Sequence, residues 1–116
     1  MEVYLLKLFV DFHGKYEGKN CKYIVSEFPN NWENSFELNQ IIIKTIKTVK
    51  EDLLQAKKQG YMITIGLPDS VIGACALLQA VRGLLGYTPY VAWSTSSGLE
   101  ELDLEEIRKE SRRLIF

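Results

Sequence analysis

A chain of 116 residues with a formal net charge of −1 is one domain of ordinary size, with enough apolar content to build a core. The near-zero charge excludes a protein that coats duplex nucleic acid through many phosphate contacts. It leaves room for a small anion held in one place by backbone amides.

Cys21 and Cys75 form no CxxC pair, so no disulfide framework is expected, and Cys75, inside an apolar run, reads as a small core residue. The apolar run near Met1 is interrupted by Lys7 and followed by Asp11, so it fails as a signal peptide. No uninterrupted apolar stretch is long enough to span a bilayer. The expectation is a cytoplasmic protein with no membrane partner.

In chain order, Val3 to Phe12 alternates loosely, is rich in Val, Tyr, Leu and Phe, and reads as a strand. His13-Gly14-Lys15 breaks it, and Lys15 to Asn20 reads as a turn or short loop. Lys22 to Phe28 is a second strand, and the short spacing predicts an antiparallel hairpin, because a parallel return needs about a dozen residues. After the Pro29-to-Trp32 loop, Asn34 or Ser35 caps a helix that runs to about Gln59. Glu37 follows Asn34 by three residues, as in a capping box. Leu38, Ile42, Ile46, Val49, Leu53 and Ala56 recur at helical spacing, while the lysines lie mainly on the other faces and read as solvated. Gly60 stops this helix.

Tyr61 to Ile65 is near-continuously apolar and rich in β-formers, as a central parallel strand should be. A Gly66-to-Ser70 turn leads into a helix over Val71 to Leu85 that only Gln79 and Arg82 interrupt with polar side chains. So apolar a helix needs cover on more than one side. A homodimer with this helix or its neighbours at the seam is expected, against the alternative that the C-terminal segment half-covers it. Pro89 leads into a strand from Tyr90 to Trp93, followed by a polar Ser/Thr loop. Asp103 with Glu106 repeats the capping pattern at the start of an acidic amphipathic stretch. Arg112 to Phe116 finishes that helix or forms a short edge strand.

The strand–helix–strand unit over residues 60–97 predicts a parallel pair with a right-handed crossover. The expected fold is therefore α/β and Rossmann-like: one domain, 1–116, with a mostly parallel sheet of four or five strands and helices on both faces. In such sheets ligands sit beyond the carboxyl ends of the strands. That selects the Gly66, Leu67, Pro68, Asp69 and Ser70 turn after one strand, and Ser94, Thr95, Ser96 and Ser97 after the next. A helix N-terminus after a glycine turn offers amides to a phosphate, and Asp69 accepts a ribose hydroxyl or caps the helix; plain capping by Asp69 or Ser70 is the competing explanation. Trp93 either stacks an unpaired base or belongs to the core. His13, flanked by Asp11 and Lys15, stands at the carboxyl end of the first strand, where Asp11 is a candidate ligand contact and His13 or Lys15 could stabilise charge on a cleaved phosphodiester. With one histidine there is no His-based metal cluster. No P-loop, GxGxxG, GxSxG or HExxH is present, and neither metal nor cofactor is expected.

Ile65-Gly66-Leu67-Pro68-Asp69-Ser70, then the apolar helix, then Thr88-Pro89-Tyr90-Val91-Ala92-Trp93, resembles the small accessory proteins of type III CRISPR defence with a CARF-like, Rossmann-related fold. That group includes ring nucleases and proteins that sequester cyclic oligoadenylates. The likeness covers about residues 60–98. It implies a homodimer that binds cyclic tetra- or hexa-adenylate across its two-fold axis. Gly66 and Ser70 would then contact phosphate or ribose, Trp93 would stack or wall the pocket, and His13 or Lys15 would add positive charge. One ring-nuclease branch carries a histidine early in the helix after the glycine turn, where Val71, Ile72, Gly73 and Ala74 stand here. Sequestration does not need it, and cleavage without it would rest on holding a ribose 2′-OH in line with its phosphate. The alternative reading is a non-catalytic homo-oligomeric interaction module.

Overall fold

The computed structural model describes residues 6–16 and 21–115. Five strands and three helices follow in the order β1 (Lys7–Asp11), β2 (Lys22–Val25), α1 (Ser35–Lys58), β3 (Met62–Gly66), α2 (Val71–Leu85), β4 (Tyr90–Thr95), β5 (Gly98–Asp103) and α3 (Leu104–Arg113). They build one mixed sheet with strand order β2-β1-β3-β4-β5. The first four strands are mutually parallel, and β5 runs antiparallel to β4. Residues 3–5 of the expected first strand, most of the loop after Lys15, and Phe116 lie outside the described residues.

Local chemistry sets the helix limits. Asn34 is in extended conformation and its side chain accepts from the Glu37 amide at 2.9 Å. The Glu37 carboxylate reaches back to the amide of Glu33, one residue before the cap. Ile42, Ile46, Val49, Leu53 and Ala56 form the buried stripe of α1. Each large side chain of that stripe contributes about 1.5–3 kcal/mol through burial. Ser70 caps α2 by accepting from Gly73 N at 3.1 Å, and Gly86 ends it at φ 81°, a left-handed position that glycine adopts without strain. Ser70→Ala should therefore cost about 1 kcal/mol. Chemical denaturation with an unchanged m-value checks this, and a loss below about 0.3 kcal/mol would show that the cap is redundant.

The two crossovers, β2 to β3 and β3 to β4, step across the sheet in the same direction. The right-handed rule then puts α1 and α2 on the same face. The core agrees: Leu8, Val10 and Phe12, Ile63 and Ile65, and Val91 point to that face and share one apolar cluster with α1 and α2. The expectation put helices on both faces, whereas α1 and α2 share one. The connection from β1 to β2 steps the other way, and on the opposite face Tyr16 and Tyr23 pack against Phe9, with ring centroids 6.4 and 5.6 Å away.

Three further expectations change. β1 and β2 are parallel, with Phe9 opposite Tyr23, and are not a hairpin; a connection of about ten residues suffices because the strands are adjacent. The polar Ser/Thr loop is the tip of a β4–β5 hairpin: Thr95 pairs with Gly98 across the two-residue Ser96-Ser97 turn. Cys75 is exposed on α2 rather than in the core. The same surface carries Val71 (81% exposed) and Ile72 (56%), while Gly73, Leu77, Val81 and Leu85 are buried. The helix is thus apolar all round but covered on one side.

α3 is capped by Asp103, whose side chain accepts from Glu105 N, and it runs to Arg113, so Arg112 and Arg113 finish the helix and form no edge strand. Glu105 ties it to the body. Its carboxylate accepts from the Thr88 amide at 2.9 Å and from Arg108 Nε at 2.8 Å. These bonds, the Thr88 amide first, lower its pKa from 4.5 to about 2. A depressed carboxylate stabilises the fold above its unfolded value and loses that contribution as pH falls from about 4.5 to about 2. The Thr88 amide resonance should titrate with a midpoint near the lower limit; a midpoint near 4.5 would mean the contact is not made in solution.

Candidate functional site

In this topology the chain leaves β1 in one direction to β2 and returns past it to β3. The switch point therefore lies between β1 and β3, and ligands of open α/β sheets sit at the carboxyl ends there. Five of the expected residues gather at that edge: Asp11 and His13 from the end of β1, and Gly66, Asp69 and Ser70 around the end of β3.

Asp11 is completely buried. One carboxylate oxygen accepts from the amides of His13 (2.8 Å) and Gly14 (2.9 Å). The other accepts from the Tyr16 amide at 2.9 Å and from the Tyr23 hydroxyl. The Tyr23 hydroxyl also meets the carbonyl of Tyr16, and its burial together with the Asp11 charge pushes its pKa strongly up. Four donors converge on this carboxylate, so its lone pairs are spent inside the fold. Asp11 shapes the loop that carries His13 and Tyr16; it does not face a ligand.

His13 lies over the start of the next turn. Its Nε2 is 2.9 Å from Asp69 Oδ1, so this nitrogen carries the proton and donates it to the carboxylate. Its Nδ1 is buried without a hydrogen-bond partner. The imidazole lies flat against the ring of Tyr16, with centroids 4.7 Å apart and planes 15° from parallel. Asp69 is largely exposed, with 72% of its side-chain surface accessible. The pair joins β1 to the turn before α2. Lys15 is exposed.

Tyr16 is the residue that sequence reading missed. Its ring rests on Gly66: a Cβ added there would fall 2.6 Å from Cδ2 and 2.9 Å from Cε2 of the tyrosine. Its hydroxyl donates to the Leu67 carbonyl at a long 3.4 Å. Burial raises its pKa, with the Asp11 charge adding to this and the Ser94 amide, which donates toward the same oxygen, opposing it. A glycine closing a strand is a signal of close approach, but not of what approaches.

The other candidates are placed as follows. Pro68 is buried, and Leu67 is half-buried with its carbonyl at the rim. Ser70 spends its side-chain oxygen on the Gly73 amide, which leaves the amides of Val71 and Ile72 as the helix N-terminus offered to an anion. Trp93 shares a face with Val91 and packs against the helix-side core. Thr95 Oγ1 closes the hairpin turn, accepting from Ser97 N and donating to Gly98 O. Ser94, Ser96 and Ser97 are exposed, and the hairpin runs past the end of β3, whose last residue pairs with Ala92. Among the described residues no cluster of His, Cys, Asp and Glu is arranged to hold a metal ion, and no helix is long and apolar enough to cross a membrane.

The arrangement is an anion-compatible helix start beside a histidine–carboxylate pair, with an aromatic ring seated between them and the sheet edge. No family model, no curated protein and no solved structure matches this chain.

Proposed function

We propose that this is a cytoplasmic domain that binds a cyclic oligoadenylate, the second messenger of type III CRISPR defence, at the carboxyl edge of its sheet, and that it does so as a homodimer and sequesters the ligand. The observation that carries the reading is the convergence at the switch point. The N-terminus of α2, the end of β3 at Gly66, His13 and Asp69 meet there, which sets amide donors for phosphate beside a carboxylate that accepts from a ribose hydroxyl, without a broad basic surface. A ligand with few phosphates suits a chain of net charge −1. The exposed Val71, Ile72 and Cys75 stand on the first turns of α2, so a second copy packed there would set two carboxyl edges side by side.

Thermal shift with cyclic tetra-adenylate, cyclic hexa-adenylate, ATP and AMP tests this. At a hundredfold excess over Kd a specific ligand should raise Tm on the order of 10 °C. Selective stabilisation by one cyclic form is the expected result. No shift with any of the four, in a chain that still dimerises, would support the interaction-module reading that the same apolar surface favours. Radiolabelled ligand separates holding from cutting: linear products lost in His13→Ala would add a ring-nuclease step, and intact ligand in the wild type keeps the reading at sequestration.

A further inference from the structure

Tyr16 has the placement of a stand-in. We propose that the imidazole face of His13 and the backbone of Gly66 form a slot for one nucleobase, that Tyr16 occupies this slot in the structure described here, and that an adenine of the ligand takes its place. This deepens the reading above and rests on it for the identity of the whole ligand.

Three observations converge. The ring of Tyr16 lies nearly parallel to the imidazole, the geometry a purine adopts on an aromatic side chain. It sits against the strand end where only a glycine leaves room. The group that holds its hydroxyl, the Leu67 carbonyl, is a backbone acceptor at the end of β3. A carbonyl acceptor at the slot's end suits the exocyclic amino group of adenine.

The grip on Tyr16 is also of a kind that can be released. The residue is anchored through its amide to Asp11, and the long hydroxyl contact is the weakest of its bonds. Rotation about the side chain therefore moves the ring out while the backbone stays. A site whose open form is a minor state binds more weakly by the fraction that is open, so removing the plug should raise apparent affinity.

The experiment uses adenine alone, titrated calorimetrically into the wild type, Tyr16→Ala and Tyr16→Phe, with cooperative unfolding of each chain checked first. Tyr16→Ala should bind adenine about tenfold or more tighter than the wild type. Tyr16→Phe, which keeps the ring and loses only the hydroxyl hold, should fall between them. Adding Gly66→Leu to Tyr16→Ala should abolish the gain. Equal adenine binding by all three chains overturns the slot. Cyclic tetra- and hexa-adenylate form the second arm. If neither binds while adenine fills Tyr16→Ala selectively, the slot stands and the cyclic ligand is wrong. If a cyclic form binds the wild type while the ring resonances of Tyr16 and His13 keep their shifts, the ligand stands and the slot is overturned.

Discussion

Asp11→Ala should cost about 3–5 kcal/mol of folding stability, a large share of the 5–15 kcal/mol typical of a domain. The carboxylate is fully buried and receives three backbone amides and a phenol. Truncation leaves the amides of His13, Gly14 and Tyr16 without an acceptor in a place water reaches poorly, and each such orphan costs about 1–3 kcal/mol. Losses at one site overlap, so the total falls below the sum. Asp11→Asn keeps one acceptor oxygen for His13 and Gly14 but turns an NH2 toward the Tyr16 amide and the Tyr23 hydroxyl. It should cost about 1–3 kcal/mol, less than alanine and more than a surface change. Urea denaturation measures both. A loss under about 0.5 kcal/mol for Asp11→Ala would show that the loop amides find other partners and that the carboxylate is not what shapes the site.

That prediction reverses the role the sequence suggested for Asp11, and the reversal shows where local reading stops. An acidic residue after an apolar strand looks like a ligand contact. Whether it is one depends on whether the chain after it bends back, and the six residues from Asp11 to Tyr16 carry no periodic signal of that bend. The β3–α2–β4 unit was readable because burial on both sides of a parallel strand leaves a continuous apolar run, and because Asn34, Ser70 and Asp103 cap their helices through contacts two or three residues away. β5 was not readable. Leu99-Glu100-Glu101-Leu102 has neither alternation nor a buried face, and it is a strand only because β4 pairs with it along one edge. The direction of β2 was misjudged for a related reason: loop length limits a parallel return but does not exclude one between neighbouring strands. The gathering of His13 with Asp69, and of Tyr16 with Leu67, spans more than fifty positions of sequence separation. No pattern along the chain announces it.

Gly66→Ala tests that long-range contact by itself, without any ligand. The added methyl would lie 2.6 Å from the Tyr16 ring and 3.0 Å from Asp11 Oδ1, closer than side-chain carbons approach one another. Gly66 is in ordinary strand conformation, so the backbone is not what resists. Something must move, and the ring is the part free to do so, since Asp11 is pinned by its four donors. Its displacement gives up the stack on His13 and the edge contact with Phe9, each of a kind contributing about 0.5–1.5 kcal/mol. The expected loss is about 1–3 kcal/mol, the usual cost of overfilling a packed site. The decisive comparison is the double-mutant cycle. In a Tyr16→Ala background the methyl meets no ring, and Gly66→Ala should then be nearly neutral, which gives a coupling of about 1 kcal/mol or more. Additive losses would place the strain at Asp11 instead, and the loop that carries His13, not the tyrosine ring, would then be what the glycine protects.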